Sequence, residues 1–353
     1  MTQHPLRFGV WALVQGSWAS YYHPDDPPDA SWERNKNLIL EAEKLGFDST
    51  LVAQHTINPR GDGYDQLEAW ASSAALAALT EKIEIITAIK PYLYHPVVLA
   101  KMALQIEEIS KGRFALNFVN AWFKPELDRA GIGFAEHDER YAYGGEWLEI
   151  VRRLINGERV NFQGKHFKVE DYEFWPKDQF RRRPVIYAGG ESEPARDHVT
   201  KHGDVWFINS QPLEDVKAMI ADVARRPRIG PPLRYGLAGF VIARETDKEA
   251  EEALAYAFEL EKKDAAEAAK QRANSDSKAV MLKTSAKSPR IGTNGGTSGG
   301  FVGSYDRVAE RMRQFHEAGI ELLMLQFQPF EAEMRRFARE VMPRVRKRLN
   351  VAA

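Results

Sequence analysis

Short apolar runs and helix-patterned stretches alternate along nearly the whole chain, and this alternation restricts the possible folds more than any other feature. Runs of strand length and β-branched character occur at Arg7 to Val14, Ser49 to Ala53, Ile83 to Ile89, Arg113 to Ala121, Pro184 to Ala188, Val205 to Ile208, Tyr235 to Ala243 and Leu322 to Phe327. Between them lie stretches that predict helices: Ser31 to Lys44, Gln66 to Leu79, Pro96 to Ile109, Tyr143 to Asn156, a short one after Ser192, Pro212 to Arg225, a charged one from Asp247 onward, and Asp306 to Glu317. A helix over Glu331 to Leu349 closes the chain. About eight strands separated by helices predict an α/β fold of the (β/α)8 TIM-barrel type, with a doubly wound open sheet as the alternative. No G-x-G-x-x-G spacing occurs, so the usual dinucleotide cradle of an open sheet is missing. With 353 residues and 44% hydrophobic content the chain can bury a barrel-sized core, and a single domain over residues 1–353 is expected.

Two segments interrupt the alternation. Phe162 to Phe167, with Gly164 at its turn, reads as an inserted hairpin. Residues 271–303 are rich in Ser, Lys, Asn and Gly, and Gly292 to Gly300 is almost all turn formers. A mobile insertion is expected there, either a lid that orders over a ligand or a linker without a role.

Charge and cysteine content exclude several functions. Lys and Arg number 49 against 50 Asp and Glu, a net charge of -1, so no global field draws nucleic acid or an anionic membrane. A small neutral ligand is the better expectation. Zero Cys excludes disulfides, thiolate metal sites and a Cys nucleophile, and fits a reducing compartment. Met1 to Leu6 shows no basic segment followed by an apolar one, and no long apolar run occurs later, so the reading is a cytoplasmic protein.

A barrel places its chemistry at the C-terminal ends of its strands. Polar endings occur at Gln54-His55, Asn117 to Trp122, Gly189 to Ser192, Trp206 to Asn209 and Gln326 to Gln328. Asn117 sits inside an apolar strand, where an unmatched carboxamide costs a few kcal/mol; it either faces something polar or bonds to neighbouring backbone. Gly189-Gly190-Glu191-Ser192, at a strand end and opening a helix, is suited to a phosphate, although strand-to-helix turns favour Gly and Ser for conformational reasons too. Arg140-Tyr141 either complements that phosphate or is an ordinary exposed helix start. His198 and His202 share a helical spacing, but no third ligand completes a metal site nearby and none is expected. The only G-x-S-x-G match, Gly296 to Gly300, lies in the Gly-rich segment, out of strand context.

Taken together these residues resemble the bacterial-luciferase-like flavin monooxygenases over nearly the full length. The strongest pieces are Gly112-Arg113-Phe114 with Asn117 and Ala121-Trp122-Phe123-Lys124, then Glu136 to Tyr141, Ala188 to Ser192, Phe240 to Arg244, and Val302-Gly303. The pattern is most similar to the dimethylsulfone monooxygenase branch, with alkanesulfonate monooxygenases and the pyrimidine oxygenase as neighbours. The resemblance implies FMN held by Gln54, His55, Asn117, Glu126, Arg140, Tyr141, Gly190 and Ser192, the last near the phosphate. It implies catalytic work for Asn117 at the flavin edge and for Trp122 as a wall of the oxygen pocket. It further implies that reduced FMN arrives from a separate NAD(P)H-dependent flavin reductase, that O2 is a co-substrate, and that the protein is a homodimer or homotetramer. The missing dinucleotide fingerprint agrees with that division of labour.

Departures from the family narrow the substrate. Ala88 stands where the pyrimidine oxygenase has Thr. The alkanesulfonate enzymes carry Arg and His on the strand that here reads Ala238-Gly239-Phe240, Arg where this chain has Asn294, and Tyr where it has Gln328. Without those cations a sulfonate lacks charge-assisted donors, so a small, uncharged or weakly polar organosulfur compound is expected. Trp11, Tyr94, Trp206, Phe240 and Phe327 are candidates to line its pocket, each being either pocket or core. The alternatives are a sulfonate or nitrogen-heterocycle monooxygenase and, in another class, a flavin- or deazaflavin-dependent hydride-transfer or flavin-binding protein.

Overall fold

Eight parallel strands close into a barrel in the computed structural model, which describes residues 4–228, 230–276 and 289–351. In chain order the strands are β1 (Arg7–Trp11), β2 (Ser49–Val52), β3 (Glu84–Ile89), β4 (Phe114–Phe118), β5 (Val160–Gln163), β6 (Lys168–Tyr172), β7 (Val185–Gly189), β8 (Val205–Ile208), β9 (Arg234–Phe240), β10 (Ile242–Arg244), β11 (Val302–Ser304) and β12 (Ile320–Gln326). The barrel runs β1-β12-β9-β8-β7-β4-β3-β2 and back to β1, so the open-sheet alternative is excluded. β5 and β6 form the inserted antiparallel hairpin, and β10 pairs with β11 outside the barrel.

The helices are α1 (Trp32–Lys44), α2 (Ala69–Leu79), α3 (Pro96–Ser110), α4 (Lys124–Asp128), α5 (His137–Ile155), α6 (Glu193–His202), α7 (Leu213–Ala224), α8 (Asp247–Lys263), α9 (Ala265–Ala273), α10 (Tyr305–Glu317), α11 (Phe330–Arg336) and α12 (Met342–Val351). Barrel strands such as β4 are buried throughout because helices cover them outside and side chains fill them inside, which is why they read as apolar runs without alternation. Several of the helices covering the barrel show one apolar stripe. In α1, capped by the Ser31 side chain on the Arg34 N–H, that stripe is Leu38, Ile39 and Ala42. Among the described residues no helix is long and apolar enough to cross a membrane.

Several expected boundaries move. The long strand expected from Tyr235 to Ala243 breaks at Val241, whose N–H donates to Gln326 O, while the Ile242 N–H turns to Phe301 O. The chain therefore leaves the barrel to meet β11, a strand the sequence pattern did not reveal. α5 begins at His137 rather than Tyr143, α4 has no counterpart in the sequence pattern, the charged helix from Asp247 divides into α8 and α9, and the closing helix is interrupted by a π-helical turn over Phe337–Val341.

Over its described part, residues 289–303, the Gly-rich segment is hydrogen-bonded to the barrel. Ser210 N–H donates to Asn294 O at 2.8 Å, Gly299 N–H to Ser210 Oγ at 2.9 Å, and Thr293 N–H to Gln326 Oε1 at 3.2 Å. Gly295 (φ +85°) packs directly on the Ser210 backbone, where a side chain would overlap it. The glycines here serve close approach to the barrel mouth. Residues 277–288 of the expected insertion lie outside the described residues.

Candidate active site

A cavity of about 570 Å3 opens at the C-terminal mouth of the barrel, within the range of roughly 300–1,000 Å3 usual for ligand sites. Its floor and walls come from the strand ends the sequence marked: Trp11, Gln54-His55, Ala88, Asn117, Asn120 to Trp122, and Gly189 to Ser192. Residues of α8, α9 and the 289–294 stretch form the roof.

The wall after β2 is built on a buried charge cluster. His55 lines the cavity with its ring edge-on to Trp122, and its Nδ1 lies 2.8 Å from Lys90 Nζ. Lys90 also bonds the Glu126 carboxylate, whose other oxygen accepts from Thr56 N–H at 2.7 Å. Burial pushes the imidazole down and the Lys90 charge pushes it further, to about 4, so the ring is neutral at physiological pH. Burial alone would raise the Glu126 carboxyl, but Lys90 and His55 beside it draw it down to about 2.

Asn117 on β4 is paired in register with Ala88 on β3 and with Tyr187 on β7. It is 3% exposed, and its Oδ1 has no hydrogen-bond partner among the described residues. A buried carbonyl left without a partner costs about 1–3 kcal/mol, and this one belongs to a side chain that lines the cavity. The small side chain of Ala88 leaves room beside it.

On the β7 side, Gly190 adopts φ +109°, and a Cβ there would come within 2.7 Å of Ala195 Cβ. Its carbonyl accepts from Trp206 Nε1 at 2.9 Å, fixing the turn into α6. Ser192 stands at the N-cap of α6 but makes no cap bond; its Oγ donates to the Tyr141 hydroxyl at 3.1 Å. The Ser192 and Tyr141 hydroxyls thus meet at one end of the cavity beside the N-terminus of α6, an arrangement suited to an anion. Arg140 lines the same end and is paired with Asp276 at the end of the α9 segment.

Trp11 and Trp18, with ring centroids 4.8 Å apart, and Phe207, 6.1 Å from Trp11, make an aromatic face. Above it Arg60 pairs with Asp264 at 3.1 Å. Burial raises the Glu261 carboxyl to about 7 against the opposing pull of Arg60 and the Gly292 N–H. Glu191 is 5% exposed, accepts from Asn209 N–H at 2.8 Å, and is likewise raised by burial.

Of the residues singled out by sequence, Gln54, His55, Asn117, Trp122, Arg140, Tyr141, Gly190, Ser192 and Trp11 all line this cavity. Glu126 lies one layer behind, holding Lys90. Tyr94 is also behind the wall, its hydroxyl donating to Glu68 and within hydrogen-bonding reach of Gln54. Trp206, Phe240 and Phe327 are packed in apolar clusters outside the cavity lining. Trp206 was the neighbour of the right residue: on a strand, adjacent side chains point to opposite faces, and Phe207 faces the cavity. Sequence reasoning also missed Lys90, Arg60, Glu261 and Arg290. Lys90 carried the one available signal, a Lys ending a strand of Ile and Thr before Pro91. Among the described residues no three His, Asp or Glu are grouped to hold a metal. His198 packs against Phe118 and Tyr141, and His202 stands beside His198 with ring centroids 6.1 Å apart; burial keeps both imidazoles neutral.

Fold and site together define a (β/α)8-barrel enzyme with one polar, donor-lined pocket at its mouth. The chain belongs to the luciferase-like monooxygenase family, whose model matches residues 6–322. An FMNH(2)-dependent dimethylsulfone monooxygenase of Pseudomonas putida is 31% identical over 355 residues, covering 97% of this chain and 96% of the relative. A protein of the same description from Pseudomonas fluorescens (strain Pf0-1) is 29% identical over 354 residues, with 98% and 96% covered. Among solved structures, long-chain alkane monooxygenase (LadA) superposes with a TM-score of 0.80 at 21% identity, covering 99% of this chain and 92% of that one. DmoA from Hyphomicrobium sulfonivorans gives a TM-score of 0.75 at 16% identity, with 98% and 88% covered. The structural likenesses show the shared barrel.

Proposed function

We propose that the protein is a two-component, FMN-dependent monooxygenase that cleaves a C–S bond in a small uncharged organosulfur compound of the dimethylsulfone type. The supporting observation is the meeting, in one cavity, of Gln54, His55 and Asn117 on one side with Gly190, Ser192 and Tyr141 at the α6 N-terminus on the other. These residues fit FMN. Asn117 Oδ1 is an unpartnered buried acceptor, the Gly190 turn is a cradle that a Cβ would fill, and the α6 N-terminus suits a phosphate.

Reduced FMN, when bound, supplies the electrons that activate O2. Asn117, Gln54 and His55 would hold its ring system, while Ser192, Tyr141 and Arg140 would hold its phosphate. Trp122, braced against His55 and Phe123, excludes water from the wall above β4. Trp11, Trp18 and Phe207 offer an apolar face to the substrate. Four arginines line the cavity: Arg60 is paired with Asp264, Arg140 with Asp276, Arg290 lies near Glu261 and Glu191, and Arg272 comes from α9. With three of the four facing carboxylates, the cavity is better suited to a neutral substrate than to a sulfonate. A separate flavin reductase and a homo-oligomeric assembly belong to the same proposal.

The reaction balances as dimethylsulfone, O2 and two reducing equivalents with their protons giving methanesulfinate, formaldehyde and water. It is tested by turnover with FMN, a flavin reductase, NADH and O2 across sulfones and alkanesulfonates. Sulfinate and formaldehyde from a sulfone are expected. Oxygen uptake without a sulfur product, or no uptake at all, rejects the proposal, the latter in favour of a hydride-transferring or flavin-binding role.

A further inference from the structure

Lys90 lies in the cavity wall at the end of β3, and each of its two hydrogen-bonding groups dictates the polarity of a neighbouring wall residue. Burial pulls the Lys90 amine below the ordinary lysine value and the Glu126 carboxylate bonded to it opposes that pull; the ammonium of this pair has hydrogens to give and no lone pair to accept with. At 2.8 Å from His55 Nδ1 it leaves that nitrogen only the role of acceptor, so the neutral ring carries its proton on Nε2. The Lys90 backbone N–H donates to Gln54 Oε1 at 2.8 Å, which only the carbonyl oxygen of that amide can accept. The Gln54 NH2 is thereby turned away from Lys90, with the Tyr94 hydroxyl within reach of the side chain.

We propose that Lys90 is a positioning residue of the active site, fixing Gln54 and His55 as a pair of neutral hydrogen-bond donors so that this wall takes a ligand edge rich in acceptors. The carbonyl edge of a flavin ring is such an edge, and that part of the inference rests on the function proposed above. The tautomer does not rest on it.

The charged groups facing His55 are Lys90 from the end of β3 and Glu126 from α4; the rings of Trp122 and Phe123 stand edge-on to it, and the imidazole also borders the cavity. Glu126 Oε1 is 3.6 Å from Nδ1. A carboxylate alone at that position favours a proton on Nδ1 or a full imidazolium. Lys90, inserted beside both, reverses the preference.

The test is histidine-selective 15N NMR on the protein without flavin, with the His55 signals assigned by their loss in H55N. The proposal expects an Nε2–H ring that stays neutral from pH 8 down to pH 5. In K90M, with Glu126 left facing the ring, it expects a proton on Nδ1 or an imidazolium near neutrality. An Nδ1–H ring in the wild-type protein, or a K90M spectrum identical to wild type, overturns it. If K90M does not fold, the wild-type tautomer and its titration still decide. Oxidised FMN supplies the second readout, through quenching of flavin fluorescence: K90M should raise Kd at least tenfold. A changed tautomer with unchanged Kd overturns the ligand assignment. Wild-type protein that has the expected tautomer and binds no FMN overturns the flavin reading and leaves the positioning role standing.

Discussion

The Arg140 guanidinium grips the Asp276 carboxylate in the cavity that Ser192 and Tyr141 also line, while the Asp276 backbone N–H bonds Trp122 O at 2.8 Å. The cation best placed for a phosphate is therefore shared with an internal anion. A phosphate that enters must compete with Asp276 for it. D276N should raise the preference for FMN over riboflavin several-fold, and R140M should abolish most of that preference, both read by flavin fluorescence. An unchanged ratio in both variants removes Arg140 from the phosphate site.

Asn117 holds an unmatched carbonyl in the barrel interior, and its replacement by an apolar residue of similar volume removes that cost. N117L should therefore melt at the same temperature or about 1–2 °C higher, a gain of about 1 kcal/mol, while losing product formation. A stabilised yet inactive variant is the signature of a residue kept for a ligand. A large fall in Tm with activity preserved would show instead that the amide serves packing.

Acid stability should be set in part by buried imidazoles. Burial pushes His202 down to about 3 and His198 to about 4, with neighbouring charges adding to it, from an ordinary value of 6.5. Folded pKa values below the unfolded ones mean that the unfolded chain takes up more protons between pH 6.5 and about 4. Stability from this source is complete above pH 6.5 and falls as pH drops through that window. For His202 the loss is about 2–3 kcal/mol by pH 4.5. Thermal melts of H202Q between pH 4.5 and 7.5 should show a flatter slope than wild type, and equal slopes would exclude this origin.

Glu261 acts in the opposite sense. Its folded pKa of about 7 lies above the ordinary 4.5, so the folded protein holds this proton where the unfolded chain has released it. The resulting stabilisation is present below pH 4.5 and is lost as pH rises through 7. E261Q, which has no proton to lose, should gain in Tm relative to wild type between pH 5.5 and 8. A difference that stays constant over this range would show that the carboxyl is already ionised at pH 5.5.

The barrel was legible because burial on both faces leaves each strand a short apolar run and because one helical stripe per crossover repeats the 3.6-residue period. The strand ends that meet at the cavity were legible for the same reason: polar residues interrupt those runs only at one end. What could not be read depends on which distant side chains come together. Lys90 owes its role to His55 and Glu126, and Arg60 to Asp264 on the far side of the chain. The choice of Trp206 over Phe207 failed on strand parity, which an uninterrupted apolar run does not display. The tight seating of Gly295 on Ser210 was also invisible, since a glycine chosen for close contact and one chosen for freedom look alike in sequence.

The aromatic face comes from β1, the loop after it and β8, whereas the donor-bearing wall and the anion end come from the exits of β2, β3, β4 and β7. Selection for a new substrate can therefore rework Trp11, Trp18 and Phe207 while the opposite arc of the ring stays intact. A lineage built on this chain can diversify what it oxidises at little risk to the machinery that does the oxidising.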